Sequence, residues 1–290
     1  MDFYLSALLQ GCCFSGLAVG IFLSMKIFNI PDITTDGSYT LGAAVTAILL
    51  QQQLPSGLIL PVVLTAGALA GAFTGIIHTK LKINALLAGI LVMTALYSIN
   101  LTLMGRSNIP LLNYKTLFSS LIIVQDVNLN TFIILLGFVL LLALIISYVL
   151  KTDFGIAMRA TGSSETMIRA LGVNTDRMKI IGLALANAFT ASSGYLISQY
   201  QGFTDINMGI GIVIAGLGSV IIGETFINWL RINSVWISIV LVICGALVFQ
   251  LVLAFTLSLG VDAGLLKLVT ALFVLLIVSL PRISLNRLDL

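Results

Sequence analysis

Residues 131–150 read TFIILLGFVLLLALIISYVL and contain no charged side chain. About 20 apolar residues in a helix span the hydrocarbon core of a bilayer. In lipid, every backbone N–H and C=O group must be paired within the spanning structure, which leaves only helices and closed barrels. The strands of a barrel would alternate in pieces of about ten residues, and this run does not alternate. The stretch therefore predicts a transmembrane helix.

The rest of the chain has the same character. Hydrophobic residues make up 59% of the 290 residues and charged residues only 9%, which is too little polar surface for a soluble globule. We expect an all-α polytopic membrane protein with about nine transmembrane helices, between about eight and ten. The full-length apolar runs are residues 3–28, 57–78, 84–104, 131–150, 179–199 and 234–258, and the shorter ones are 39–54, 208–223 and 265–280.

The basic residues indicate an orientation, because Lys and Arg in short loops prefer the cytoplasmic side. With residues 151–179 placed inside, most other basic residues also fall inside. The N-terminus then lies outside and the C-terminus in the cytoplasm. The first run has no basic flank, so we expect it to remain as a span rather than to be a secretory signal. The other basic residues that fall inside are Lys26, Lys80, Lys82, Arg231, Arg282 and Arg287.

Two polar segments interrupt the apolar rhythm at corresponding places in the two halves. Residues 32–38 (DITTDGS) precede the short run at 39–54, and residues 202–207 (GFTDIN) precede the short, glycine-rich run at 208–223. Paired short spans of this kind indicate a substrate path lined by broken helices, because their freed backbone groups need water or substrate as partners. Ordinary polar loops are the alternative.

Polar side chains in or next to the apolar runs are the candidates for lining such a path. For each of them the alternative is a hydrogen bond between helices, which is worth about 1 kcal/mol in membranes and needs no role in transport. The candidates are Ser38, Thr40, Asn84, Asn100, Asn187, Ser192 and Ser193.

Small residues recur at a spacing of four. Gly16 and Gly20 form one such pair, and Gly67, Gly71 and Gly75 form a series. This spacing lets helix backbones approach closely, but it is weak evidence for a dimer face because packed bundles use it generally.

Residues 151–179 (KTDFGIAMRATGSSETMIRALGVNTDRMK) form a polar segment between two spans. Ser163 or Ser164 can cap a short helix, and Gly172 supplies a natural stop. The helix would present Met167, Ile168 and Leu171 on one side, and Glu165 with Arg169 on another. Periodicity alone leaves two roles open: a connector on the membrane surface, or a contact for a cytoplasmic partner.

Five stretches that together cover most of the chain carry a resemblance to a known family. They are residues 32–44 (DITTDGSYTLGAA), 82–91 (KINALLAGIL), 153–162 (DFGIAMRATG), 170–174 (ALGVN) and 216–224 (GLGSVIIGE). They resemble the branched-chain amino-acid and ribose type permeases of bacterial ABC importers. The likeness is closest to a subgroup that works with a binding protein and is often associated with aromatic amino acids.

The resemblance implies a type II importer fold. Residues 1–290 would form one transmembrane permease domain, with residues 151–179 as its cytoplasmic coupling segment. In that fold each coupling helix fits a groove in one ATPase subunit. The residues expected to make this coupling are Asp153, Phe154, Gly155, Arg159, Thr161, Gly162, Glu165, Arg169, Leu171 and Gly172.

The resemblance also implies partners. In a bacterial inner membrane, two copies of the chain would enclose a central path as a homodimer, with two cytoplasmic ABC ATPase subunits and an extracytoplasmic substrate-binding protein. The sequence has no G-x-x-x-x-G-K-[ST] phosphate loop, so we expect ATP and Mg²⁺ on a separate ATPase and no cofactor on this chain. The expected cargo is a small solute, namely an amino acid, with aromatic amino acids as the narrower expectation.

An ion-coupled secondary transporter is the alternative function. It would need acidic side chains buried in mid-membrane, and the sequence places none in the middle of a long span. A membrane enzyme would need a nucleophile with a base, or a metal triad. The chain has one His, no H-E-x-x-H and no G-x-S-x-G, so we expect no catalytic residue and no metal site.

Two further classes of interaction are not expected. The three cysteines, Cys12, Cys13 and Cys244, lie in apolar runs, where a thiol usually behaves as a small hydrophobic group. The net charge is +3 and the basic residues form no patch with interleaved aromatic residues. Nucleic acid is therefore not an expected partner.

Overall fold

The apolar runs fold into helices. A computed structural model describes residues 2–230 and 234–285. A π-helical turn (Phe22–Ile27) and a 3₁₀ turn (Ala263–Leu265) accompany the α-helices. The α-helices are α1 (Asp2–Cys13), α2 (Ser15–Ile21), α3 (Thr34–Gln51), α4 (Ser56–Lys80), α5 (Ala85–Met104), α6 (Leu117–Ser120), α7 (Val127–Lys151), α8 (Asp153–Ser163), α9 (Glu165–Ala170), α10 (Thr175–Gln201), α11 (Ile212–Trp229), α12 (Val235–Ser258) and α13 (Leu266–Leu285).

All nine predicted apolar runs are helical, but not all are long and apolar enough to be counted as spans. Within the described residues, α4, α5, α7, α10, α11 and α12 meet that test, and the bent helix from Phe3 to Ile27 is a seventh if it is one span. The predicted number of nine stays a prediction, as does the orientation. Of the residues used to orient the chain, Arg231, Arg287 and the side chain of Arg282 lie outside the described part.

Two short strands were not predicted. β1 (Asn108–Pro110) pairs with β2 (Phe203–Asp205) in antiparallel register. The pair joins the segment after α5 to the segment after α10. It is a local addition to an otherwise helical architecture.

The first span is bent rather than straight. The helix axis turns by 42° between Cys13 and Ser15, and a π-helical turn follows at Phe22–Ile27. Backbone hydrogen bonds continue across the bend, since the Ala18 N–H donates to the Phe14 carbonyl (3.0 Å). The helix changes neighbour at this point, because α1 packs on α12 whereas α2 packs on α10. By contrast, α3 begins within the polar segment that the sequence marked as a break and runs unbroken.

The long helix α10 lies at the centre, packed against α2, α3 and α4. Its neighbours approach it through glycines. A Cβ added at Gly42 of α3 would lie 2.1 Å from the Ala191 carbonyl oxygen, and one at Gly71 of α4 would lie 2.1 Å from that of Leu183. The spacing of four at Gly67, Gly71 and Gly75 is therefore used for packing within the chain.

Several hydroxyl residues of α10 are compatible with this burial because they bond to their own helix. Thr190 donates to the Ala186 carbonyl (3.0 Å), and Ser198 donates to that of Tyr195 (3.2 Å). Buried hydroxyls paired in this way cost little in an apolar interior. The least apolar of the long helices is thus the most enclosed one.

Gly71→Ala is expected to lower the free energy of unfolding by about 1–3 kcal/mol, because the added methyl would overlap the Leu183 backbone. Thermal unfolding of the purified chain in detergent measures the effect. Gly137→Ala on α7 is the matched control, since its Cβ would meet no atom within 4 Å. Its melting temperature should be unchanged or slightly higher, because alanine is the better helix former. Equal losses in both variants would contradict the packing argument.

Candidate functional site

The segment 151–179 folds into two short helices and the start of α10. Thr152 caps α8, with its hydroxyl accepting from the Gly155 N–H (3.3 Å). The predicted helix is α9, which follows Ser164 and ends before Gly172, a residue with φ of +86°. Ser164 holds the N-cap position without a side-chain cap bond. The helix α8 was missed, although a Thr before Asp153 is a usual start signal.

A charged cluster joins α9 to the start of α10. Arg169 lies 2.9 Å from the Glu165 carboxylate and 3.1 Å from that of Asp176. Lys179 also pairs with Glu165 and donates a hydrogen bond to it, which holds the pKa of Glu165 below its ordinary value. This stabilisation is present above the ordinary pKa of a Glu and is lost as the pH falls through the lowered value. Glu165 and Arg169 therefore maintain the shape of the segment.

The apolar residues of α9 divide between two directions. Ile168 is buried, whereas Met167 and Leu171 are 61% and 70% exposed. The sequence had placed all three on one side. Exposed apolar side chains suit both roles that the sequence left open, a connector on the membrane surface and a contact for a cytoplasmic partner.

The helix α8 lies directly on the backbone of two other elements. A Cβ at Gly155 would lie 2.2 Å from the Val149 carbonyl oxygen, and one at Gly162 would meet the Ile27 carbonyl oxygen at 1.8 Å. Met158 packs in a small core with Phe28 at the end of the first span. At Gly162 no side chain of α8 separates it from the Ile27 backbone, so α8 is in direct contact with the end of the first span.

The predicted coupling residues have different surroundings. Asp153, Arg169, Leu171 and Gly172 are exposed, and Gly155 and Thr161 are buried against the chain. The others, Phe154, Arg159, Gly162 and Glu165, are half-buried. The Arg159 guanidinium donates to the Leu150 carbonyl (3.3 Å). Six of the ten are thus at least half-buried against the chain itself.

A buried polar cluster centres on Asn187 of α10. Its side-chain oxygen accepts from the Ser38 hydroxyl (2.7 Å). Its amide donates to the Asp32 carboxylate (2.7 Å) and to the Leu183 carbonyl (2.9 Å). The structure thus brings together two predicted path residues, Ser38 and Asn187, but both are fully buried and bonded to each other. Asp32, which was not among the candidates, shares this cluster.

The first polar interruption meets the start of the second short run at Asp36. Its carboxylate accepts from the backbone N–H groups of Gly211 and Val213, each at 2.9 Å, and so caps α11 from another helix. A negative charge at a helix N-terminus is favourable. Gly209 lies against the Asp36 carbonyl oxygen, where a Cβ would come within 2.1 Å. The backbone groups freed at this break are met by a carboxylate of the chain itself.

A small cavity opens beside this contact, between α3, α5 and the residues before α11. Thr40 and Asn100, both predicted path residues, lie on its wall together with Asp36. The Asn100 amide donates to the Gly37 carbonyl (3.3 Å), but its side-chain oxygen is buried without a partner. The other lining residues are Gly37, Met93, Tyr97, Ile206, Gly209 and Ile210.

The remaining path candidates lie elsewhere. Asn84 caps α5, accepting from the Leu86 N–H (2.9 Å). Ser192 donates to the Phe189 carbonyl (2.6 Å), and Ser193 accepts from the Leu17 N–H (2.7 Å). None of these three lines the cavity beside Asp36.

Comparison with known proteins decides the family. Residues 3–279 match the model of the branched-chain amino acid transport system permease component. The chain belongs to this permease family. It is 35% identical to the tyrosine transport system permease protein of Clostridioides difficile, over 99% of this chain and 94% of the relative. It is 26% identical to the ribose import permease protein of Haemophilus influenzae, over 78% and 69%. No solved structure matches.

The family establishes an ABC importer permease component and a multi-pass membrane protein, and it implies association with an ATPase and a binding protein. The permease nevertheless contains two buried acids, Asp32 and Asp36, which the sequence had placed in a polar segment. Buried acids would suit an ion-coupled carrier. Both are occupied by donors of the chain, and the family favours the ATP-driven importer.

Asp36→Asn is expected to lower the free energy of unfolding by about 1–3 kcal/mol. An amide oxygen can accept from one of the two α11 N–H groups, but the amide NH₂ then faces the other. Thermal unfolding in detergent measures the change. Asp126→Asn is the control, since Asp126 caps α7 with two bonds at an exposed site, where Asn caps equally well. A variant at position 36 as stable as this control would contradict the cross-helix cap.

Proposed function

We propose that this permease passes an amino acid, preferentially an aromatic one, from an extracytoplasmic binding protein to the cytoplasm. The observation that carries the transport function is the coupling segment, with Met167 and Leu171 exposed on a helix that other contacts hold rigidly. The tyrosine transport relative supports an amino-acid cargo because it matches nearly the whole chain. The ribose import relative matches less of the chain at lower identity.

The proposed assembly is a homodimer in the bacterial inner membrane, with one ATPase subunit below each coupling segment. A closed two-fold dimer is the commonest arrangement for a single type of chain. The N-terminus would lie outside and the C-terminus in the cytoplasm. ATP and Mg²⁺ would be bound by the separate ATPase, since this sequence has no phosphate loop.

The proposed mechanism is alternating access driven by the ATPase. ATP binding favours one arrangement of the two ATPases, and only this difference in affinity between states can shift the permease. Movement of the ATPase displaces α8 and α9, and the contact between Gly162 and Ile27 passes the displacement to the first span. The path then opens alternately to the two sides.

A double variant, Met167→Asp with Leu171→Asp, is expected to lose the ATPase during affinity purification. The variant replaces two apolar contacts by charges that would have to be desolvated on binding. The wild-type permease should retain the ATPase in equimolar amount. Leu112→Asp with Val127→Asp is the matched control, since these residues are 84% and 78% exposed, Leu112 between β1 and α6 and Val127 at the start of α7. Retention of the ATPase by the Met167 and Leu171 variant would overturn the assignment of this surface.

The cargo is tested by uptake into liposomes that contain the permease with its co-purified ATPase. The binding protein is supplied outside with radiolabelled tyrosine, phenylalanine, leucine or ribose. We expect ATP-dependent uptake of the two aromatic amino acids, slower uptake of leucine and none of ribose. Uptake of ribose without amino acids would contradict the proposed cargo but not the importer function. Uptake that needs no ATP would contradict both.

A further inference from the structure

Two cations without an acidic partner lie at one end of α7. Lys151 is the last residue of α7 and is exposed. Arg159 of α8 reaches back to the same end, where its Nη2 donates to the Leu150 carbonyl (3.3 Å). Neither cation takes part in an ion pair within the described residues. The end of α7 therefore carries two positive charges that no described acid neutralises by direct contact.

Both cations have donors that a ligand can reach. The Arg159 Nε is buried and cannot be reached, but the Nη1 is not among the buried unpaired atoms and has no hydrogen bond within the described residues. The exposed Lys151 ammonium has three donors. Asp153, two residues beyond Lys151, is exposed at the start of α8 and pairs with neither cation. The two cations outnumber this one acid, so the local charge is positive.

The side of α7 that leads to Lys151 is apolar and unpacked. Leu140, Leu144 and Tyr148 are 51%, 57% and 74% exposed, and their spacing of four residues places them on one face. Lys151 is the neighbour of Tyr148 on this face. From Leu140 to Lys151 the helix rises about 16 Å, and one leaflet contributes about 15 Å of hydrocarbon. If acyl chains cover this face, Lys151 therefore lies at the depth of the headgroups.

The aromatic and apolar residues near the two cations fit the same membrane surface. Tyr148 lies one helical turn before the end of α7, and tyrosine is enriched at the boundary between lipid and water. Ile156 of α8 is 51% exposed, so the apolar surface continues past the end of α7. An amphipathic surface of this kind suits the boundary between headgroups and acyl chains.

We infer that Lys151 and Arg159 bind the phosphate of an anionic phospholipid whose acyl chains lie along the Leu140 face of α7. Phosphate offers only acceptors and negative charge, and the two side chains offer only donors. A phospholipid matches both the cations and the apolar face, whereas a soluble phosphate matches the cations alone. The inference goes beyond the proposed function and is independent of the cargo. It gives Arg159 a lipid partner in place of the ATPase contact that the resemblance implied.

The test removes the two charges as a pair. The variant is Lys151→Gln with Arg159→Gln. Lys80→Gln with Lys82→Gln is the matched control, since these two cations are exposed, are predicted to lie on the same side of the membrane and have no hydrogen bond within the described residues. Arg159→Lys keeps the charge and should keep most of the lipid response. A lost bond to Leu150 would lower stability in every lipid alike, so the difference between lipids is the quantity that is measured.

Each permease is purified with its ATPase in a neutral detergent, and its melting temperature is measured at constant ionic strength. The additions are phosphatidylglycerol, phosphatidylcholine with the same acyl chains, and inorganic phosphate. We expect phosphatidylglycerol to raise the melting temperature of the wild type by a few degrees more than phosphatidylcholine does, since a ligand of the folded state stabilises it. Inorganic phosphate should give no gain. Each cation should contribute about fivefold to the apparent affinity for phosphatidylglycerol.

The Lys151 and Arg159 double variant should lose most of the difference between the two lipids, and the Lys80 and Lys82 control should keep it. Equal responses of the wild type to both lipids would overturn the inference. Equal losses in both double variants would do so too, because they would show only the general attraction of a basic surface. An equal gain from inorganic phosphate would assign the cations to a soluble anion instead. Loss of the ATPase with an unchanged lipid response would assign them to the ATPase.

Discussion

Backbone contact between α10 and its neighbours is the constraint on which the rest of this permease depends. Lipid tails are as apolar as leucine, so helices in a membrane gain little by burying hydrophobic surface against each other. Close packing must then hold them together, and it needs residues without side chains at the contact. Gly42 and Gly71 provide this from α3 and α4, and Gly194 does so from α10 itself, where a Cβ would lie 2.0 Å from the Tyr39 carbonyl oxygen.

The same constraint explains where the polar groups are found. Glycine contacts bring α3 so close to α10 that Asn187 reaches both Ser38 and Asp32. With no water in the hydrocarbon core, each of these groups needs a protein partner. A hydrogen-bonded cluster of this kind fixes the register of α3 on α10, because a shift by one residue would leave a buried carboxylate unpaired.

The sequence predicted the helical architecture and the short helix α9 well because those signals are local. Hydrophobic length gave the runs, and Gly172 marked the end of α9. The α8 start at Thr152 was also a local signal and was overlooked. The contact of Asp36 with the start of α11 was not predictable in this way, since it joins residues 175 positions apart in the chain. Nor does the sequence show which asparagine is satisfied: Asn187 and Asn100 look alike until the structure shows that only Asn187 has all its polar atoms paired.

The coupling segment and the cavity are joined by a continuous series of contacts. Gly162 of α8 lies on the backbone of Ile27, and the adjacent Lys26 forms an ion pair with Glu224 near the far end of α11 (3.0 Å).

The helix α11 is a single unbroken element of 18 residues, so it moves as a rigid body over its length. Its other end is held by Asp36, and the residues just before it form one wall of the cavity. Contacts therefore connect α8 to one wall of the cavity through the ion pair of Lys26 with Glu224. The bent first span with its π-helical turn gives this route a place to flex, since π-helical turns are frequent at functional sites. The cavity beside Asp36 thus borders the end of the helix that this series of contacts reaches.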